Sequence, residues 1–192
     1  RRRLSTTNKP GNGLCPPINR SSPPAHREQR TIVHIYQLRT TQTLPIDIHT
    51  AWAFFSDPRN LQHITPSDMD FVITSPVASQ IHTGLFISYR LRVPPGVRLR
   101  WWTEIKHVEA PSRFVDEQRS GPYRLWYHEH RFTAVDDGVE VEDIVHYALP
   151  LGWLGRLAHW LFVRRQLQQI FRFRRQVLDE SFPASQTLEA TA

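Results

Sequence analysis

"GPYRLWYHEHRF", Gly121 to Phe132, decides how this chain is read. As a β-strand it points Trp126, His128, His130 and Phe132 to one side and Leu125, Tyr127, Glu129 and Arg131 to the other, because successive side chains alternate across a pleated strand. Two imidazoles then share a face with two large aromatics. Such a face suits a metal site, an acid–base pair, the polar lining of a cavity, or histidines tied down by their neighbours.

The flanking segments place this strand in an antiparallel sheet. Downstream, Asp137-Gly138 is a two-residue hairpin signal. It leads into "VEVEDIVHYALP" (139–150), with Val139, Val141, Asp143, Val145 and Tyr147 on one side. Upstream, Gly121-Pro122 turns the chain back to "RFVDEQRS" (113–120), and Pro111 separates that from "RLRWWTEIKHVEA" (98–110), where Leu99, Trp101, Thr103 and Ile105 share a face. Pro94-Pro95-Gly96 makes the preceding turn, after "GLFISYRLRV" (84–93) with Leu85, Ile87, Tyr89 and Leu91 on one face. "DFVITSP" (70–76) and "TIVHIYQLRTTQTL" (31–44) complete seven β-rich runs.

Two short helices are predicted between the first and second strands. Pro45 and Asp47 offer a start, and Ile48, Ala51, Trp52 and Phe55 are spaced for one apolar face. Asp57-Pro58 breaks that helix, and Pro58 opens a second one to about Ile64. After Pro150 and Gly152, no proline interrupts Trp153 to Glu180, and Leu154, Leu157, Leu161, Leu167, Ile170, Phe171, Val177 and Leu178 recur at helical spacing. This predicts one amphipathic helix of roughly 25 residues, about 38 Å long. "LGWLGRLAHWLFV" (151–163) reads as its pocket-facing start, too short to span a bilayer.

Short turns between consecutive strands imply an antiparallel sheet, and one long helix is available to cover its apolar face. The class is α+β. A strongly curved sheet wrapped on a helix does not close tightly, so a cavity between them is expected.

The chain has 192 residues, enough for one domain with tails. Residues 1–30 carry seven Lys/Arg against one Glu, which accounts for the whole net charge of +6; the other 162 residues hold 17 of each sign. The domain is therefore not basic and gives no strong nucleic-acid signal. Residues 1–30 read by composition as a disordered basic tail, 31–180 as the domain, and 181–192 as a frayed end. The tail lacks the apolar stretch of a secretory signal. The single cysteine, Cys15, allows no intramolecular disulfide, so a reducing, cytoplasmic setting is the default expectation. No run is long and apolar enough for a membrane span. There is no Gly-rich phosphate loop and no CxxC, so no cofactor is assigned.

The order of elements, together with "FFSDPRNLQHITP", "FVDEQRSGPYRLWYHEHRF", "VEDIVHYALP" and "IFRFRRQVL", resembles the START-like superfamily, also called SRPBCC or birch-pollen-allergen-like. Within it the chain is similar to the bacterial cyclase/dehydrase-like group. The resemblance covers about residues 31–180. It implies a helix-grip fold, a curved seven-stranded antiparallel sheet wrapped on a long C-terminal helix. It also implies a hydrophobic ligand held between them, for a superfamily that spans carriers, receptors and polyketide cyclases.

The inner face carries Tyr89, Trp101, Thr103, Phe114, Asp116, Gln118, Trp126, His128, His130, Phe132, Asp143 and Tyr147. Burying these polar groups unpaired costs about 1–3 kcal/mol each, so they pair with each other, with water or with a guest. An aromatic pocket with convergent polar groups describes a small-molecule site. Trp101, Trp126 and Tyr89 would form its walls. Thr103, Asp116, Gln118, His128, His130, Asp143 and Tyr147 would fix polar groups of the guest. Histidines simply held by Asp116, Gln118 or Asp143 are the plainer reading, as is a structural Asp143–Tyr147 pair. His128 and His130 could bind a metal with Asp143 on the neighbouring strand as third ligand, but no third or fourth ligand is fixed by spacing, and no metal is assigned. Catalysis, as a polyketide-type cyclase/dehydratase, would use His128 or His130 as acid–base and Asp143 as orienter. No nucleophile is marked.

Arg156, Arg164, Arg165, Arg172, Arg174 and Arg175 lie on the helix, with no acid between Ile144 and Leu178. They are expected on a solvated outer face, pairing with acids at the sheet edge. The sharper reading is contact with a membrane surface or nucleic acid; with a vestigial cavity, this helix or the basic tail 1–30 would then make the protein a non-catalytic interaction module. Trp102 falls on the outer face of the sheet.

Overall fold

Among the described residues seven antiparallel strands form one sheet, the first in sequence pairing with the seventh and the rest following in descending order to the second at the far edge. The computed structural model describes residues 33–93 and 96–184. The expectations for the basic tail 1–30, for Cys15, for Pro94 and Pro95 in the turn and for the last residues of the frayed end lie outside these. The strands are β1 (Tyr36–Leu44), β2 (Val72–Ile73), β3 (Phe86–Val93), β4 (Val97–Glu109), β5 (Arg113–Ser120), β6 (Leu125–Val135) and β7 (Gly138–Ala148). Helix α1 (Ile48–Phe55) and two 3-10 turns, Pro58–Gln62 and Ser67–Met69, lie between β1 and β2. The C-terminal helix runs as α2 (Trp153–Ala158), a π turn (His159–Val163) and α3 (Arg164–Ser181). This is the α+β class read from the sequence, in the helix-grip architecture that the resemblance implied.

Local chemistry explains the elements. Asp47 caps α1 by accepting from the His49 and Thr50 amides. Asp57 does the same for the following turn through the Arg59 amide, with Pro58 at its first position. At the β6–β7 hairpin Gly138 has φ +135°, and a Cβ there would collide with the Leu44 carbonyl oxygen. β1 crosses that close to the turn, so only glycine fits. Along β4 the pairing with β5 shifts register between Trp102 and Thr103 and again between Lys106 and Glu109. Such irregularities bend a strand, and this one curves the sheet around its inner face.

Two expectations are corrected in extent. β1 starts at Tyr36 rather than near Thr31, with Ile35 exposed. The second strand is two residues long, opposite Arg90 and Tyr89. Beyond it the Ser75 side chain replaces the backbone as partner of the Ser88 amide, so the ladder stops there.

Helix α1 packs Trp52 and Phe55 on the sheet. Trp52 meets Phe114 and Phe132 edge-on at 5.9 Å each, and Leu178 of α3 closes the same cluster. Edge-to-face geometry is the favoured arrangement of aromatic pairs. A second cluster holds Trp126, Val145, Tyr147, Leu167 and Phe171 under the middle of the C-terminal helix.

Candidate functional site

Between the sheet, α1 and the C-terminal helix lies a cavity of about 600 Å³. Its walls are mostly apolar: Phe54, Phe55, Leu61, Ile64, Ile87, Tyr89, Leu91, Trp101, Ile105, Phe114 and Trp126 from one side, Phe162, Val163, Leu167, Ile170 and Phe171 from the helix. Against them stands one compact charged group.

Strand register builds that group. Asp116 of β5 lies opposite His128 of β6, and His130 of β6 lies opposite Asp143 of β7. All four project to the same face, since partners across a ladder share a side and positions two apart on a strand do too. Diagonal neighbours in a sheet are also within reach, and the result is a closed ring. His128 Nδ1 is 3.1 Å from Asp116 Oδ2 and its Nε2 is 3.0 Å from Asp143 Oδ1. His130 Nε2 is 3.0 Å from Asp116 Oδ2, and its Nδ1 is 2.9 Å from Asp143 Oδ1 but out of line for a hydrogen bond. The two imidazoles lie 3.9 Å apart, and Phe114 stacks on His130 at 4.2 Å. Trp126 donates its indole N–H to Asp116 Oδ1 at 3.3 Å.

Arg174 of α3 completes the group. Its Nη1 is 3.3 Å from Asp143 Oδ1, and its guanidinium carbon sits 5.3 Å from the centre of the Phe55 ring and 5.9 Å from that of Phe171. It is 7% exposed. Burial alone would raise the Asp143 carboxyl, but Arg174 and the two imidazoles outweigh that and hold it well below the usual carboxylate range. Asp116 is lowered in the same way, burial being overcome by His128 and His130. For His128, burial opposes the charge, yet Asp116 and Asp143 push its pKa up to about 9. His128 is therefore an imidazolium at neutral pH.

Sequence-predicted residues divide into three groups. Tyr89, Trp101, Thr103, Asp116, Trp126, His128 and His130 line the cavity. Asp143 stands behind the imidazoles and meets the cavity through them. Gln118 and Tyr147 are placed elsewhere. The Gln118 amide is consumed in bracing the β5–β6 turn, donating to the Tyr123 carbonyl at 2.6 Å and accepting from the Tyr123 amide at 3.3 Å. It does not hold the histidines. The Tyr147 hydroxyl lies 2.9 Å from His159 Nε2, beside a separate groove, so no Asp143–Tyr147 pair forms. Trp102 is 50% exposed on the outer face, as read from the sequence.

Arg174 is the residue that sequence reasoning missed, having grouped it with the solvated arginines. Its signal was positional: it falls on the stripe Leu167, Phe171, Leu178, all buried. A charge on an apolar stripe marks a buried partner. The opening of the helix corrects a second expectation. Of residues 151–163, Gly155 is buried and Ala158, Phe162 and Val163 reach the cavity, but Leu151, Trp153, Leu154, Leu157, Trp160 and Leu161 face outward. The π turn inserts a residue between α2 and α3, so the two halves present different faces.

Asp116, His128 and His130 offer ligand atoms within 4.8 Å of one another. Metal ligation requires imidazole lone pairs. Here both ring nitrogens of His128 already face carboxylates, and Arg174 supplies positive charge to the same group. The donor set fits a self-paired charged ring better than a cation site.

No protein-family model and no curated protein sequence matches the chain. Solved structures match the domain: a protein from Chromobacterium violaceum at 11% identity over 78% of this chain and 99% of the other, TM-score 0.60, and one from Thermus thermophilus at 18% identity, 76% and 95% coverage, TM-score 0.59. Major latex-like protein 151 from Panax ginseng matches at 9% identity, 78% and 99% coverage, TM-score 0.58. At these identities the likeness establishes a shared helix-grip fold and no more. No helix among the described residues is long and apolar enough to cross a membrane.

Proposed function

We propose that the protein binds an amphipathic small molecule, with an apolar and partly aromatic body, in the cavity between sheet and C-terminal helix. The observation that carries this reading is the pairing of an apolar space of about 600 Å³ with two buried donors that have no partner among the described residues, Trp101 Nε1 and Arg174 Nε. A buried donor left unmatched costs about 1–3 kcal/mol, and a guest bearing an oxygen acceptor would remove that cost. The charges of Asp116 and Asp143 are balanced by His128 and Arg174. The cavity thus offers dipoles rather than net charge, which favours a neutral guest, such as a polycyclic phenol or ketone or an uncharged lipid, over an ion. Placement within the bacterial cyclase/dehydrase-like group, on the sequence motifs, is part of the same proposal.

Native mass spectrometry of the purified protein tests this. A co-purifying mass that is retained under gentle ionisation and reduced in Trp101→Phe supports it. An empty protein that also fails to enhance the fluorescence of an uncharged naphthalene dye would refute it.

A second reading, a cyclase/dehydratase, is favoured by the protonated His128 on the cavity wall. An imidazolium oriented by Asp143 through Nε2 suits a general acid for loss of water once a guest oxygen takes the place of Asp116 at its Nδ1. It requires turnover of an aromatic polyketone substrate that His128→Gln abolishes while binding persists.

A further inference from the structure

We infer that the outer face of α2 and the π turn docks on an anionic lipid bilayer. Trp153, Leu154, Leu157, Trp160 and Leu161 recur at three- and four-residue spacing and are all exposed, Trp153 at 65% and Trp160 at 75%. Leu151 and Phe162 add to the same region. Scattered exposed apolar residues need no explanation, but a cluster this dense marks an interaction surface.

Charge selects the partner. Arg156, Arg164 and Arg165 stand among these residues, are exposed, and form no ion pair with any described residue. Arg164 also borders a groove that Arg39, Arg172 and Arg175 line. No acid interrupts the sequence from Ile144 to Leu178. Self-association through this face about a two-fold axis would bring like charges together, which is unfavourable. A lipid surface accepts both features, since indoles settle at the headgroup level and arginines meet phosphates. The patch is also continuous with the cavity: Phe162, Ala158 and Val163, from the same segment, line it. Docking would set the cavity mouth against the bilayer, where a sparingly soluble guest could pass without crossing water.

The test uses the full chain with sedimented vesicles. Phosphatidylcholine vesicles containing phosphatidylglycerol should bind it, and phosphatidylcholine alone should bind it weakly. Trp153→Ser/Trp160→Ser should weaken binding about tenfold or more, with an unchanged circular dichroism spectrum because both sites are exposed. Arg156→Glu/Arg164→Glu should weaken it in proportion to the anionic lipid present. Brominated acyl chains should quench tryptophan emission in the wild type. Failure to bind anionic vesicles overturns the inference. So does binding that the tryptophan changes leave intact, which would assign it to the basic residues 1–30. A stable dimer that the tryptophan changes dissolve would assign the face to a second copy of the chain instead.

Discussion

Replacing Arg174 with methionine isolates the energetics of the charged ring. Methionine keeps most of the stem that packs between Phe55 and Phe171 but leaves Asp143 without its cation. Removing one partner of a buried pair costs about 3–5 kcal/mol. Asp143 keeps two imidazoles at 3.0 and 2.9 Å, so the low end applies, about 3 kcal/mol. With a urea slope of about 2 kcal/mol per molar, the unfolding midpoint should fall by about 1.5 M. Arg174→Met/Asp143→Asn removes both charges and should recover at least half of that loss, because the penalty lies in the orphaned carboxylate rather than in the missing attraction. The sign with pH follows from Asp143 being held low: its contribution is present above its unfolded value near 3.8 and lost as pH falls below it. The gap between wild type and Arg174→Met should therefore be full at neutral pH and narrow in acid. A single variant that loses less than about 0.5 M in midpoint, with a double variant no better, refutes the pairing described here.

Other expectations are simpler. His128 titrates near 9 in the fold against 6.5 unfolded, so its contribution is complete below about pH 6.5, declines as pH climbs and is gone above about 9; the thermal midpoint of the wild type should drop across that window, while His128→Asn flattens the profile. Gly138→Ala should lower stability by about 2 kcal/mol or more, read by urea unfolding, because the left-handed conformation and the Leu44 carbonyl both oppose a Cβ. Trp52→Ala should cost about 3–5 kcal/mol by the same measurement, since the indole fills the space between Phe114 and Phe132.

The strands and their facing were legible because alternation is a strong signal wherever one side is buried, as in Trp126-Tyr127-His128-Glu129-His130. Turn chemistry at Asp137-Gly138 and Pro111 gave the order. Register was not legible, and the ring depends on it: a shift of one residue between β6 and β7 would turn Asp143 away from His130. Gln118 shows the limit on the same strand as Asp116. Alternation put it on the right face, but the strand's end carries it past the cavity to the Tyr123 backbone. Arg174 was hidden for the opposite reason, its position being informative only once its neighbours were seen to be buried. The outward Trp153 and Trp160 were missed because a helical period names a stripe without saying what the stripe faces.

The π turn at His159–Val163 has a mechanical meaning. Each helical residue advances the chain by about 100°, so one surplus residue acts like a splice that offsets two spindles on a common shaft. Trimming a single position from that splice would wind α2 relative to α3 and swing both indoles to a new bearing while Arg174 stayed over its carboxylate. The number of residues in this short segment, more than their identity, sets which way the two ends of the helix look.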